Sequence, residues 1–139
     1  MKKPTGITPS IISSLKDDEI FVFGSNLAGR HGGGAARTAM KWGAVIGQGT
    51  GKQGQTYAIP TMFNTTAEIK PYVIEFINFA KRHPEFRFLV TKIGCGIAGF
   101  SVTEMAELFR PVIHEQIHNI YLPIEFVKVL VLGESNREG

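Results

Sequence analysis

The chain of 139 residues is 43% hydrophobic and 19% charged, proportions that suit one ordinary globular domain with a substantial core. Its fifteen basic and twelve acidic residues are scattered and give a formal net charge of +3, so no basic stripe indicates a nucleic-acid partner and we expect none. The single cysteine excludes an internal disulfide framework, no apolar stretch approaches membrane-spanning length, and Lys2 and Lys3 are not followed by the apolar region of a signal peptide. We therefore predict one cytoplasmic domain over residues 1–139, with its core at about residues 19–132 and no contact with a membrane.

The first part of the chain predicts a buried strand that opens into a glycine-rich loop. Residues 1–18 are polar, and their apolar Ile11, Ile12 and Leu15 predict a short helix or turn packed on the sheet. Ile20 to Phe23 alternates β-branched and aromatic residues, as buried strands do. Residues 24–34 form what we call the first glycine loop, with glycines at Gly24, Gly29, Gly32, Gly33 and Gly34.

This first glycine loop has the composition of a phosphate-binding turn. It joins the strand to a predicted helix from Ala35 to Trp42, which Gly43 ends. A strand that feeds a helix through glycines gathers backbone N–H groups and the positive end of the helix around one small volume, which suits a phosphate. Four polar side chains would read the group that carries the phosphate: Ser25, Asn26, Arg30 and His31. The spacing is neither GxGxxG nor GxxxxGK[ST], and a plain tight turn is the alternative interpretation.

The next segment, Val45 to Gln55, nearly alternates glycine with polar residues. Such a segment has little to bury and predicts a mobile connector or a loose hairpin, and a loop that covers a ligand is the alternative. Thr56 to Ile59 then predicts a second strand, which ends at Pro60.

The apolar residues between Ile69 and Lys81 recur at helical spacing. Thr65 and Glu68 resemble a capping box, but a helix that starts there would hold Pro71 deep inside it. We therefore predict that the helix starts near Lys70 and ends before His83-Pro84-Glu85.

The second half of the chain again predicts a strand, a glycine loop and a helix in succession. Phe86 to Ile93 predicts a central parallel strand, which runs into the second glycine loop, Gly94 to Phe100. Ser101 and Glu104 form a capping-box pattern for a helix that reaches Phe109. The remaining predictions are a break at Pro111, a helical turn or two over Val112 to His118, a strand over Asn119 to Leu122, a strand rather than a helix over Phe126 to Leu132, and a frayed end over Ser135 to Gly139.

Strands that alternate with helices predict a three-layer α/β/α fold with a mostly parallel central sheet and right-handed connections. The loops that follow the carboxyl ends of parallel strands gather at one edge, where ligands bind in folds of this class. Both glycine loops and the loop from Pro60 to Thr65 follow strands. We therefore expect all three loops at one crevice, with a phosphate-bearing ligand.

At the two loops the sequence resembles the macro domain superfamily, whose members bind ADP-ribose and in some cases hydrolyse its linkages. Gly24-Ser-Asn26 followed by Gly32-Gly-Gly-Ala-Ala36 is similar to the asparagine-containing loop and glycine run of macro domains. Val90 to Phe100, followed by a helix with Glu104, is similar to their second phosphate loop. The stretch from Phe21 to Phe100 also resembles a family of small bacterial and phage proteins that carry both motifs. The resemblance covers about residues 19–123 and is specific at the two loops.

The resemblance implies a macro-like fold that binds ADP-ribose or a related nucleotide diphosphate between the loops, with no cofactor. Asn26 would contact the distal ribose, Gly32 to Gly34 would surround it, and Gly96 to Phe100 would hold the diphosphate. The implied ligand-binding set is Gly24, Ser25, Asn26, Arg30, Gly32, Gly33, Gly34, Gly94, Cys95, Gly96, Ile97, Ala98, Gly99 and Phe100. Macro domains usually carry an early Gly-Asp pair that reads adenine. This chain offers only Asp17 and Asp18, outside that phrase, so another base remains open.

Two chemistries are open at this site. If the protein hydrolyses ADP-ribosyl bonds, Asn26, His31 and a bound water would act, with His31 as general base or phosphate donor. Alternatively Cys95, made more acidic by a helix dipole, would act as a nucleophile with His31 on an unknown small substrate. The purely structural alternatives are an Asx-turn for Asn26, a solvated turn residue for His31 and a small core residue for Cys95.

Two further observations concern the charged and metal-binding residues. Arg30 and Lys92 are candidates to clamp phosphate, and no carboxylate lies in either loop, which favours binding over hydrolysis. His83, His114 and His118 do not match a metal-binding pattern, so we predict no metal site.

Overall fold

A computed structural model describes the chain over residues 6–138, and the side chains as far as residue 132. Within that range the chain forms a five-stranded, mostly parallel sheet with helices on both faces, which is the predicted three-layer α/β/α architecture. The strands are β1 (Glu19–Ser25), β2 (Gly51–Gln53), β3 (Thr56–Pro60), β4 (Arg87–Val90) and β5 (Ile120–Tyr121). The α-helices are α1 (Gly34–Ala39), α2 (Thr66–Lys81), α3 (Val102–Leu108), α4 (Arg110–His114) and α5 (Ile124–Glu138), and a 3-10 helix (Met40–Trp42) follows α1.

Strand β1 lies at the centre of the sheet, in the order β2-β3-β1-β4-β5. It is parallel to β3 and β4, β4 is parallel to β5, and β2 is antiparallel to β3. In register, Phe23 pairs with Ala58 and Val22 with Val90. Because β1, β3 and β4 point the same way, the loops that leave them emerge together at what we call the carboxyl edge of the sheet.

The alternation along β1 divides the core into two clusters. Ile20 and Val22 lie on one face, in the larger cluster to which α2, α3, α4 and α5 contribute. Phe21 and Phe23 lie on the other face, in a smaller cluster with alanines of α1 and β3, namely Ala36, Ala39 and Ala58. The small side chains let α1 lie close to the sheet, as the sequence predicts.

The N-terminal segment follows the sheet without forming a helix. Ile12 and Leu15 pack against the smaller cluster, so the predicted packing on the sheet is confirmed, whereas Ile11 is 83% exposed. Ile7 forms a parallel bridge with Leu122, just beyond β5. Met1 to Thr5 lie outside the described residues. Among the described residues no helix is long and apolar enough to cross a membrane.

Helix α2 begins earlier than the sequence predicts. Its N-cap is Thr65, whose backbone N–H donates to Glu68 Oε1 at 3.2 Å in a capping box. The predicted start near Lys70 is therefore wrong. The capping box and the complete burial of Ile69 stabilise the first turn by more than Pro71 costs in one lost backbone hydrogen bond.

Helix α5 corrects a second prediction, because it contains the segment Phe126 to Leu132 that is predicted as a strand. Phe126, Val127 and Leu130 are buried while Leu132 is 62% exposed, which is helical and not alternating spacing. The segment forms a helix rather than a strand because a helix packs its apolar stripe against α3 and covers the larger cluster. Ser135 to Glu138, predicted to be frayed, continue this helix, and Gly139 lies outside the described residues.

Other elements agree with the sequence in type and differ at their ends. Strand β4 ends at Val90 rather than Ile93, because the side chain and the backbone N–H of Thr91 both donate to Val22 O and the chain turns. The predicted break near Pro111 is confirmed, because α3 ends at Leu108 and Pro111 lies in the first turn of a new helix, α4. The predicted second and fourth strands are β3 and β5.

Candidate functional site

Three loops meet at the carboxyl edge of the sheet, as the sequence predicts. A Cβ atom built on Gly24, near the end of β1, would lie 3.1 Å from Thr61 Oγ1, which follows β3. The same atom would lie 3.5 Å from the backbone nitrogen of Gly94, which opens the second glycine loop after β4. The bases of the three loops are therefore in contact, and Gly24 leaves no room between them for a larger side chain.

Away from these bases, both glycine loops face open space. Five glycines have open space where a side chain would stand, because a Cβ atom placed there would meet no described residue beyond the adjoining chain within 4 Å: Gly32, Gly33, Gly34, Gly96 and Gly99. Gly34 and Gly99 also have φ values of +58° and +80°, which favour glycine. The backbone at these positions is open to a ligand. Helices α1 and α3 have only six and seven residues, so the loop amides rather than long helix dipoles would attract an anion.

Asn26 and Ser25 use their side chains inside the protein. Asn26 Oδ1 accepts from the backbone N–H of Arg30 at 2.9 Å, and Asn26 Nδ2 donates to the Arg30 carbonyl at 3.0 Å. Ser25 is 4% exposed, and its hydroxyl donates to the carbonyl of Gly49. The Asn26 side chain thus closes the loop on the backbone four residues on, which is a wider turn than the Asx-turn interpretation, and contact of either side chain with a ligand stays a prediction. Arg30 itself is exposed at the surface.

His31 is buried, so its interpretation as a solvated turn residue is wrong. Its side chain is 4% exposed and packs edge-on against Phe23, with ring centroids 5.4 Å apart. His31 Nε2 lies 2.9 Å from the carbonyl of Val45, and because a carbonyl only accepts, Nε2 carries the proton. The other ring nitrogen, Nδ1, is buried and has no hydrogen-bond partner in the described part of the chain.

The environment of Cys95 shifts its pKa in the direction opposite to the one that the thiol alternative requires. Burial raises the pKa of Cys95 above its ordinary value, and this effect outweighs the lowering by Lys92. Glu125 and Glu104 raise the pKa further. The Cys95 thiol lies 3.6 Å from the carbonyl of Ile93, and the side chain packs against the larger cluster. These facts agree with a small core residue rather than a nucleophile.

The rest of the second glycine loop is a tight turn whose side chains differ widely in exposure. Phe100 N–H donates to Gly94 O at 2.9 Å, and Gly99 N–H donates to Gly96 O at 3.0 Å. Phe100 packs against the larger cluster. Ile97 is 84% exposed at the tip, and Ala98 is half-buried beside it.

A cavity of about 570 Å³ lies beside the loops, among α1, the end of β4, the start of α5 and the N-terminal segment. Its apolar walls include Ile7, Ile12, Phe21, Pro123 and Ile124. Ala35 and Thr38, just after the first glycine loop, and Val90 to Lys92, just before the second, also line it. The volume is in the usual range of small-molecule sites.

One polar group of this cavity has no partner. Thr8 is 5% exposed, and its Oγ1 makes no hydrogen bond within residues 6–138. The backbone of Thr8 is fixed, because its N–H donates to Leu122 O at 2.8 Å. Lys92 and Glu125, both half-exposed, form an ion pair at 3.5 Å beside it. The sequence analysis missed Thr8, since only its long-range pairing with Leu122 brings the N-terminal segment to this site.

The comparisons give no relative for this chain: no family model, no curated protein and no solved structure matches it. In the described residues no group of three or more His, Cys, Asp or Glu side chains is placed to hold a metal ion.

Proposed function

We propose that the protein binds a nucleotide diphosphate, ADP-ribose foremost, between its two glycine loops. The observation that carries this proposal is that both loops leave neighbouring parallel strands, touch at Gly24 and Gly94, and leave five glycines open to space. Backbone N–H groups that no side chain covers, other than that of Gly99, which donates to Gly96 O, favour an anionic group with several acceptor oxygens. A diphosphate has these properties, and the exposed Arg30 would add positive charge at the rim, whereas Lys92 would first have to leave its ion pair with Glu125.

The cavity supports a ligand with a planar base. It adjoins both loops through Ala35 and Val90, so a diphosphate at the loops and a base in the cavity could belong to one molecule. A nucleobase has apolar faces, which suit Ile7, Ile12 and Phe21, and a polar edge, which the unpartnered Thr8 hydroxyl would meet after a rotation of its side chain out of its buried position. The Thr8 hydroxyl both donates and accepts, so it does not by itself select one base.

Binding is favoured over catalysis. Hydrolysis with Asn26 and His31 would require side chains that now bond to Arg30 and Val45 to turn toward the ligand. Neither loop carries a carboxylate that could act as general acid or base. The alternative thiol enzyme is weaker still, because burial raises the pKa of Cys95.

The proposal is tested by thermal-shift titration with ADP-ribose, compared with AMP, ADP, NAD and ribose 5-phosphate. A ligand at one hundred times its Kd adds about 2.7 kcal/mol to the free energy of unfolding, which raises the melting temperature visibly. We expect the largest shift with ADP-ribose. Gly33→Glu should abolish it, because Gly33 has extended backbone and open space, so a carboxylate fits there without strain and repels the diphosphate.

The control is Asn78→Glu, which adds the same charge on the exposed face of α2. It should keep the shift. If ADP-ribose and the other four compounds leave the melting temperature of the wild-type protein unchanged, the proposed function is wrong.

A further inference from the structure

The segment Val45 to Gln55 is organised around one buried amide. Gln53, on β2, is 5% exposed, and its Oε1 accepts from the backbone N–H of Val45 at 2.7 Å. Its Nε2 lies 3.2–3.3 Å from the carbonyl oxygens of Gln48, Thr50 and Gly51. The amide of Gln53 thus joins both ends of a turn that has few apolar side chains of its own.

The same segment is fastened to the first glycine loop by three hydrogen bonds. Gly47 N–H donates to Gly29 O at 2.9 Å, and His31 Nε2 donates to the Val45 carbonyl at 2.9 Å. The Ser25 hydroxyl donates to the carbonyl of Gly49.

The backbones of the segment and the loop are also in direct contact. A Cβ atom on Gly29 would overlap Gln48, and one on Gly49 would overlap the carbonyl of Asn26. These glycines serve close packing between the segment and the loop, whereas Gly32 to Gly34 face open space.

We infer that Gln53 is a positioning residue: it shapes the segment that holds the first glycine loop in the form that binds the ligand. This inference rests on the proposed function, and it goes further because the hydrogen bonds of the Gln53 amide go to Val45, Gln48, Thr50 and Gly51, outside the loop, and Gln53 does not line the cavity. The sequence leaves open whether the segment covers a ligand. Its hydrogen bonds make it a brace for the loop, since its acceptors at Val45 and Gly49 are already occupied by His31 and Ser25.

The chain offers a matched control in Gln55. Its Nε2 also donates to backbone carbonyls, those of Lys16 at 2.9 Å and Glu19 at 3.2 Å. These bonds lie at the opposite end of β1 from the first glycine loop. Gln55→Ala therefore removes comparable hydrogen bonds two positions away without touching the brace.

The experiment measures the Kd of ADP-ribose by calorimetry for the wild-type protein, Gln53→Ala and Gln55→Ala. It is run at a temperature at which urea unfolding shows all three to be folded. We expect Gln53→Ala to bind about tenfold more weakly, equivalent to one or two lost net hydrogen bonds, and Gln55→Ala to bind as the wild type does. Equal affinities for both variants would overturn the inference, because a general loss of stability would not distinguish the two glutamines.

A second variant, Gln53→Glu, covers the case in which the alanine variant fails to fold. It keeps the acceptor for Val45 N–H but faces three carbonyl oxygens with a carboxylate, so affinity at neutral pH should fall. Protonation restores a donor, so its affinity relative to wild type should recover as the pH is lowered to about 4, near the ordinary pKa of glutamate. A ratio that stays constant with pH would contradict a role for the Nε2 donors.

Amide hydrogen exchange separates this inference from the proposed function. Gln53→Ala should speed exchange at Gly29 and Arg30, whose N–H groups bond within the first glycine loop, while Gln55→Ala should not. This readout needs no ligand. If the wild-type protein fails to bind ADP-ribose but amide exchange in the loop differs between the two variants as expected, the role of Gln53 as a brace is supported and the proposed ligand is wrong. If exchange in the loop is the same in both variants, the brace itself is wrong.

Discussion

At the scale of single residues, the polar side chains of the first glycine loop bond mainly to the protein itself. Asn26 closes the loop on Arg30, Ser25 reaches Gly49, and His31 reaches Val45. Each satisfies a backbone group that would otherwise be left without a partner in a segment with few apolar contacts. What remains exposed to a ligand is largely backbone, which is the usual means by which glycine loops hold phosphates.

The thiol of Cys95 provides a prediction at this scale. Burial raises its pKa above the ordinary value of 9.0, so the thiolate that reacts with iodoacetamide is scarcer at neutral pH than in a free cysteine. We expect alkylation at pH 7 to be slower than that of glutathione under the same conditions, and its rate to keep rising with pH beyond 9.0. The measurement is the alkylation rate by mass spectrometry over a pH series.

The opposite outcome has a definite meaning. A rate that levels off below the ordinary pKa of a thiol would show an activated thiolate, and would favour the thiol enzyme over the binding module. Cys95→Ala should leave the affinity for ADP-ribose within about threefold of wild type, since the side chain packs on the larger cluster.

At the scale of elements, the decisive local signals are the capping boxes and the burial pattern. Ser101 Oγ accepts from the backbone N–H of Glu104 at 3.1 Å, and the predicted start of α3 is correct. In α2 the capping box of Thr65 and Glu68 is also used, although Pro71 argues against it in the sequence. A proline six residues into a helix removes one hydrogen bond, which a good cap and a buried first turn can offset.

Helix α5 gives a prediction that separates helix from strand. Leu130 is fully buried and Leu132 is 62% exposed. In a strand both would lie on one face, because residues two apart share a face. We expect Leu130→Ala to lower the free energy of unfolding by about 2–5 kcal/mol and Leu132→Ala to change it by less than about 0.5 kcal/mol, measured by urea denaturation. Equal losses would contradict the helix.

The elements also show how much of the structure the sequence determines. The strands β1, β3, β4 and β5 and the three loops at the carboxyl edge follow from apolar runs and glycine positions, which are local signals. The strand predicted at Phe126 to Leu132 is wrong, because a short apolar run fits either type until its packing partner α3 is known.

The position of the candidate site was predictable from local sequence patterns, as most strands were, but some of its residues were not. The sequence indicates where the two glycine loops lie, but it does not indicate that Thr8 and Gln53 belong to the site or support it. Their roles depend on contacts distant in sequence, from Thr8 to Leu122 and from the segment of Gln53 to the first glycine loop. Local patterns carry no information on such contacts.

At the scale of the whole molecule, the topology of the sheet brings the candidate binding residues together at one edge. The parallel order of β3, β1 and β4 brings three loops together, and the N-terminal segment reaches the same region by its bridge to Leu122. The opposite edge carries the C-terminal end of α2 and the turn before β4, with ion pairs such as Arg87 with Asp18 at 2.9 Å. The two edges thus differ, and the carboxyl edge is the one at which the structure shows open glycine backbone beside a cavity in the described residues.

The most direct test of the central claim is to map ADP-ribose binding on the backbone amides by NMR titration. The account predicts that the largest chemical-shift changes fall on residues 24–34 and 94–100 and on the cavity wall around Thr8. Amides of residues 83–87, at the opposite edge, should stay in place. Absence of shifts at saturating ligand, or shifts confined to residues outside the carboxyl edge, would contradict a nucleotide site between the two glycine loops.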